Sequence, residues 1–148
     1  MLRRRWPVLL FALWTGYVWV TRIVNAWTAS TETVTAKVVS TVVSVVLVAG
    51  AVALLAILAR ARSRPLEAIE VRVLRTMSVA TLVVWVVRVP QILLDADHDV
   101  PFKVVHVTLA VLSLVLAGLT WRVAGREVVG GSETSDRPGV SPAINASR

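Results

Sequence analysis

The sequence predicts an all-α integral membrane protein with four transmembrane helices, arranged as two tandem, parallel-repeat helical hairpins and followed by a disordered C-terminal tail. Three observations predict it. The composition is too apolar for water, four apolar runs are long enough to cross a bilayer, and the second pair of runs resembles the first at a fixed offset.

Of the 148 residues, 56% are hydrophobic and 17% charged, and the mean hydropathy is +0.73. An ordinary soluble domain has about 25% charged and 45–50% apolar residues. So apolar a chain is not disordered. With no cysteine it is not a disulfide-stapled secreted domain either.

A spanning helix needs about 20 mostly apolar residues. Spans are expected at about residues 6–27, 38–59, 73–94 and 102–121. The first is interrupted only by Arg22, and the second has no charge at all. The third has Arg75 at its start and Arg88 inside, and the fourth has Lys103 and His106 in its first turns. Residues 1–126 therefore form one four-helix transmembrane domain. Residues 127–148, rich in Gly, Ser, Pro, Asp and Thr, lack the apolar content to pack and are expected as a disordered cytoplasmic tail.

The chain has 16 Lys and Arg against 9 Asp and Glu, a formal charge of +7. The basic residues cluster in Arg3–Arg5, around the second connection (Arg60, Arg62, Arg64, Arg72, Arg75) and from Arg122 onward. The first connection offers Glu32 among Ser and Thr, and the third is acidic. Lys and Arg beside span ends stay cytoplasmic during insertion, so both termini are expected in the cytoplasm. The charge sets topology and attracts anionic lipid headgroups; nucleic acid is not the expected partner. The apolar run behind Arg3–Arg5 is about twice a signal-peptide core, which favours an uncleaved anchor. The preference for Val, Ala and Arg over Ile and Lys suggests a GC-rich bacterial source, hence a bacterial plasma membrane.

An internal repeat comes next. Thr15–Arg60 aligns with Thr81–Arg126 without a gap, an offset of 66 residues. Trp19 meets Trp85, Arg22 meets Arg88, and Lys37-Val38-Val39 meets Lys103-Val104-Val105. Asn25 falls on Gln91. Two spans separate the copies, so both hairpins enter the membrane in the same direction, as parallel repeats about an axis along the membrane normal.

Catalytic chemistry finds few parts. Without cysteine there is no thiol redox chemistry and no Cys-ligated zinc or iron–sulfur site. No span interior holds Asp or Glu for proton coupling. Glycine-rich phosphate loops, G-x-S-x-G elbows and H-E-x-x-H helices are missing from the sequence. The chain is expected to be neither an enzyme nor a cofactor carrier. Only His98 and His106 are available to ligate haem, eight residues apart and too distant along a helix to hold one iron from opposite sides, although two copies of His106 could pair across a dimer axis. Asp95, Asp97 and Asp99 with His98 open like a calcium loop, but Val100 and His106 stand where glycine and glutamate belong, so a solvated acidic loop is the expected role.

The remaining polar residues form the candidate binding site. Arg22 and Arg88 lie some 8–9 Å beneath the outer interface at 1.5 Å per residue. Arg in a span costs about 2.5–3.5 kcal/mol at the centre and less near the edge, and here the cost recurs at matched positions. Arg22, Arg88, Lys37, Lys103, Asn25 and Gln91 are expected to converge on a shallow basic pocket for an anionic group. The competing reading, and the favoured one, is that each Arg snorkels, pairs with Asp95 or Glu32, stacks on nearby Trp and only fixes helix depth.

The leading expectation is a non-catalytic accessory subunit that binds anionic membrane lipid, another integral membrane protein or a second copy of itself. A small anion transporter or channel built from the duplicated hairpin is the rival, and a haem-binding electron carrier comes third. A cavity passing below Arg22 and Arg88 favours transport; a filled inner half favours the accessory role.

Overall fold

The computed structural model describes residues 2–28, 33–96 and 99–133. They form four helices: α1 (Leu2–Thr28), α2 (Val34–Arg60), α3 (Ala68–Leu94) and α4 (Val100–Glu133). All four are long and apolar enough to cross a membrane. A helix of 27 residues, the length of α1, α2 and α3, reaches about 40 Å, more than the hydrocarbon core of a bilayer.

Each helix begins earlier than its apolar run, and at α2, α3 and α4 a local cap is the reason. At α2 the Thr33 hydroxyl accepts a hydrogen bond from the Ala36 amide at 3.3 Å. At α3, Glu67 and Glu70 form a capping box, with Glu70 Oε2 accepting from the Glu67 amide at 2.9 Å. At α4, Asp99 Oδ1 accepts from the Phe102 amide at 3.0 Å. These caps satisfy amides that the first helical turn leaves without partners. At its other end α4 continues through residues 127–133, part of the segment expected as tail; residues 134–148 lie outside the described residues.

Short connections make α1 and α2, and likewise α3 and α4, antiparallel pairs. Both hairpin turns lie at one end of the bundle, here the two-turn end. The start of α1, the α2–α3 connection and the end of α4 lie at the other, the terminal end. Packing is closest within each hairpin; between hairpins α1 packs well on α4, whereas α2 and α3 meet sparingly.

The buried seam recurs in alternating steps of three and four. On α1 it runs Arg5, Val8, Ala12, Thr15, Trp19, Ala26, and on α3 Val71, Leu74, Ser78, Thr81, Trp85, Ile92. On α2 it is Ser44, Leu47, Ala51, Leu54, and on α4 Ala110, Ser113, Ala117, Thr120. Such spacing is that of helices crossing at a shallow angle with interlocking side chains. An offset of 66 carries every α1 position onto α3 and every α2 position onto α4, although most of the side chains differ.

Outside the seam the surface is largely Val and Leu: Val46 is 63% exposed, Val52 60% and Val86 60%. Contiguous apolar surface of this extent is untenable in water and natural against lipid. The buried serine hydroxyls are met within their own helices, as in a medium without water. Ser44 donates to the Ser40 carbonyl at 2.7 Å, Ser78 to Leu74 at 2.9 Å and Ser113 to Leu109 at 2.7 Å.

Small residues do part of the packing. Met77 of α3 lies directly on Gly50 of α2, where a Cβ would overlap its sulfur. The two helices touch here because position 50 has no side chain.

The terminal end is tied by charge. Arg5, 6% exposed, donates through Nη1 to the Ala61 carbonyl and through Nη2 to the Arg64 carbonyl at 3.1 Å. Arg64 in turn donates through both Nη atoms to Glu70, at 2.8 and 2.7 Å, a bidentate pair. The Glu70 carboxylate holds the Arg64 guanidinium above its ordinary pKa. Of the three leading arginines, Arg5 is thus a structural clasp, a role the sequence reading missed.

Candidate functional site

Towards the two-turn end the packing changes. Trp19 and Trp85, buried repeat-equivalent residues, face each other with ring centroids 6.5 Å apart. One helical turn beyond them, Arg22 and Arg88 are half-buried. Each sits six residues before the end of its helix, α1 at Thr28 and α3 at Leu94, a depth of about 9 Å.

Two cavities open beside this pair, and both arginines line both of them. One, of about 380 Å³, lies between α1 and α4, with Tyr17, Asn25, Trp85 and His106 in its wall. The other, of about 450 Å³, lies between α2 and α3, with Val39, Val43, Val83, Val87, Ser40 and Gln91. The walls correspond at the same offset of 66: Asn25 with Gln91, Val39 with Val105, and Ser40 with His106.

Local bonds orient the polar groups. Arg22 Nε donates to Ser40 Oγ at 3.2 Å, which draws its guanidinium towards α2. Trp27 Nε1 donates to Thr41 Oγ1 at 3.0 Å, closing the end of the same hairpin. In the other hairpin, His106 Nδ1 lies 2.9 Å from the Phe102 carbonyl. A carbonyl only accepts, so that nitrogen holds the proton, leaving Nε2 for another partner. The Phe102 and His106 rings stack at 4.0 Å.

The structure brings together some of the expected site and separates the rest. Arg22 and Arg88 converge; Asn25 joins one cavity and Gln91 the other. Lys37 and Lys103, expected in the same pocket, line neither cavity. The reason for Lys103 is local: its Nζ donates to the Leu93 carbonyl at 3.1 Å, one of the last carbonyls of α3, which the helix leaves unbonded. Each lysine sits near the first turn of its helix, closer to the membrane surface than the arginines.

Of the acidic connection, Asp95 and Asp99 are among the described residues. Asp99 caps α4 and Asp95 ends α3, while Asp97 and His98 lie outside the described residues, as does Glu32. Among the described residues no cluster of three potential metal ligands occurs.

Beneath the tryptophan pair the cavity walls reach Tyr17 and Val18 of α1 and Val83 and Val84 of α3, and the buried seam follows. Thr15, Ala12, Phe11 and Val8 of α1 and Thr81, Ser78, Met77 and Leu74 of α3 are buried there. Trp14 Nε1 donates to Ser113 Oγ at 3.0 Å and ties α1 to α4 at this level. Trp85 Nε1 and the hydroxyl oxygens of Thr81 and Thr120 are buried with no hydrogen-bond partner. Sequence reasoning missed the Trp19–Trp85 floor, although the two residues are matched in the repeat and share a helix face with the arginines.

No protein-family model matches this chain, and neither a curated protein nor a solved structure matches it, so the reading of the site rests on its geometry.

Proposed function

We propose that this is a non-catalytic accessory protein of a bacterial plasma membrane, with both termini in the cytoplasm. It binds an anionic group between Arg22 and Arg88 in the outer half of the bilayer. The observation that carries this reading is the shared lining: two half-buried guanidinium groups border both cavities of this end of the bundle. Guanidinium is the side chain best suited to phosphate or carboxylate, through paired N–H donors. Keeping two such charges below the interface costs insertion free energy that an anionic partner offsets.

The orientation rests on charge. Arg5, Arg60, Arg62, Arg64 and Arg72 all lie at the terminal end, which the positive-inside tendency assigns to the cytoplasm. The two hairpins act as duplicated copies of one unit, a reading supported by the equal offset of their buried seams and of their cavity walls. Binding is favoured over transport because the walls of the two cavities reach no deeper than Tyr17 on α1 and Val83 on α3, and Thr15, Ala12, Thr81 and Leu74 are buried below them.

The test compares the wild-type protein, purified in mild detergent, with the double variant R22Q/R88Q. Bound lipids are extracted and quantified by class. Enrichment of anionic over zwitterionic lipid in the wild type, lost in the double variant with helicity unchanged, supports the reading. Equal lipid content in the two proteins overturns it.

A further inference from the structure

The cavity between α2 and α3 differs from its counterpart in ways that bear on what occupies it. Its walls are valines: Val39 and Val43 from α2, Val83 and Val87 from α3. Val39, Val83 and Val87 are 58%, 55% and 54% exposed, so the wall continues into the bilayer-facing surface. The α2–α3 seam is also the least packed of the bundle. Met77 on Gly50 closes it in the terminal half, whereas beside the arginines it opens into the cavity of about 450 Å³. The α1–α4 cavity, in contrast, sits on a well-packed seam and has Tyr17, Asn25 and His106 in its wall.

We infer that the α2–α3 groove is a lateral lipid site: one anionic phospholipid of the outer leaflet enters between these helices. Its headgroup phosphate lies against Arg22 and Arg88, with Gln91 and Ser40 beside it. An acyl chain follows the valine wall towards Gly50. This rests on the anionic-group reading above and adds the ligand class, the cavity and the direction of entry.

The chemistry of the two halves matches the two halves of a phospholipid. Guanidinium groups give bidentate hydrogen bonds to phosphate. The valine wall offers apolar contact that a soluble anion has no use for. The depth agrees as well, since side chains about 9 Å below the helix ends reach upward to headgroup level. Both cavities draw on the same two arginines, so the site takes one lipid at a time.

The test uses the full chain in nanodiscs of equal phosphatidylglycerol and phosphatidylcholine, released for native mass spectrometry. The wild type is expected to retain one phosphatidylglycerol. Val39→Trp fills the α2–α3 groove, and Val105→Trp fills the matching place in the α1–α4 cavity. Both valines are more than half exposed, at 58% and 55%, so neither change disturbs the buried seam.

Val39→Trp should lower retention about tenfold, and Val105→Trp should leave it within about twofold. Loss of retention in R22Q/R88Q but not in Val39→Trp overturns the groove while the arginine site stands. Retention unchanged in R22Q/R88Q overturns both. Retention of phosphatidylcholine equal to phosphatidylglycerol overturns the role of the anionic headgroup. Displacement of the bound lipid by glycerol phosphate at equal concentration overturns the role of the acyl chain.

Discussion

The two ends of this bundle use arginine in opposite ways. At the terminal end, Arg5 donates to the carbonyls of Ala61 and Arg64, and Arg64 is paired with Glu70. At the two-turn end, Arg22 and Arg88 border two cavities, with Arg22 Nε directed to a serine hydroxyl. At the first, closed end Arg5 and Arg64 turn their guanidinium donors on the protein's own backbone and on a carboxylate. At the other, Arg22 and Arg88 stand in the walls of cavities. The lesson is that burial of an arginine alone does not separate structure from binding; what its donors face does.

The largest expected effect lies at the closed end. Arg5→Leu removes a charged donor from two carbonyls and should lower stability by about 2–3 kcal/mol, measured by unfolding in mixed micelles. A loss no larger than that of an exposed arginine such as Arg62 would remove the distinction between the ends. Next is the point where α2 and α3 touch. Gly50→Val places side-chain atoms where Met77 lies, and overpacking of this kind costs about 1–2 kcal/mol. Shortening the partner as well, in Gly50→Val/Met77→Ala, should recover part of the loss and show that position 50 acts through Met77.

A smaller effect separates the tryptophans. Trp14→Phe breaks the hydrogen bond to Ser113 and should cost about 0.6 kcal/mol, the average for such bonds between membrane helices. Trp85→Phe removes an indole N–H that has no partner, so it should be neutral or slightly stabilising. Both are read from the same unfolding curves. A larger loss for Trp85→Phe would mean that its N–H serves a bound group or water at the floor of the site.

The four helices were legible because each apolar run exceeds what a bilayer requires. Their starts were less so. Thr33, Glu67 with Glu70, and Asp99 are recognisable caps, but hydropathy does not weigh them, and every helix began several residues early or at a polar cap. The seam was hidden for a different reason. Valine covers all faces of α2, so amphipathic periodicity is weak, and the buried face is marked instead by Ser44 and Ala51 alternating with Leu47 and Leu54. Arg5 lies on the same three-and-four spacing as Val8, Thr15 and Trp19, which could have set it apart from Arg3 and Arg4.

The site was legible in part through the repeat. Trp19/Trp85 and Arg22/Arg88 are matched pairs of rare residue types in spans, and the structure puts each pair face to face or around shared cavities. Lys37 and Lys103 are equally well matched in sequence, yet stand apart from the arginines. The repeat states that two positions are equivalent; it does not state that they point inward. Lys103 shows the difference, with its ammonium capping the end of α3. Ser40 and His106, 66 residues apart, are one of several differences between the two cavities.

The most direct measurement of the central claim is the shift in unfolding midpoint on adding phosphatidylglycerol, taken for the wild type, Arg5→Leu and R22Q/R88Q. A ligand that binds only the folded state raises stability by an amount set by its concentration and affinity. The account predicts the same rise for the wild type and for Arg5→Leu, from a lower starting midpoint in the latter, and no rise for R22Q/R88Q. A rise of equal size in R22Q/R88Q would contradict it.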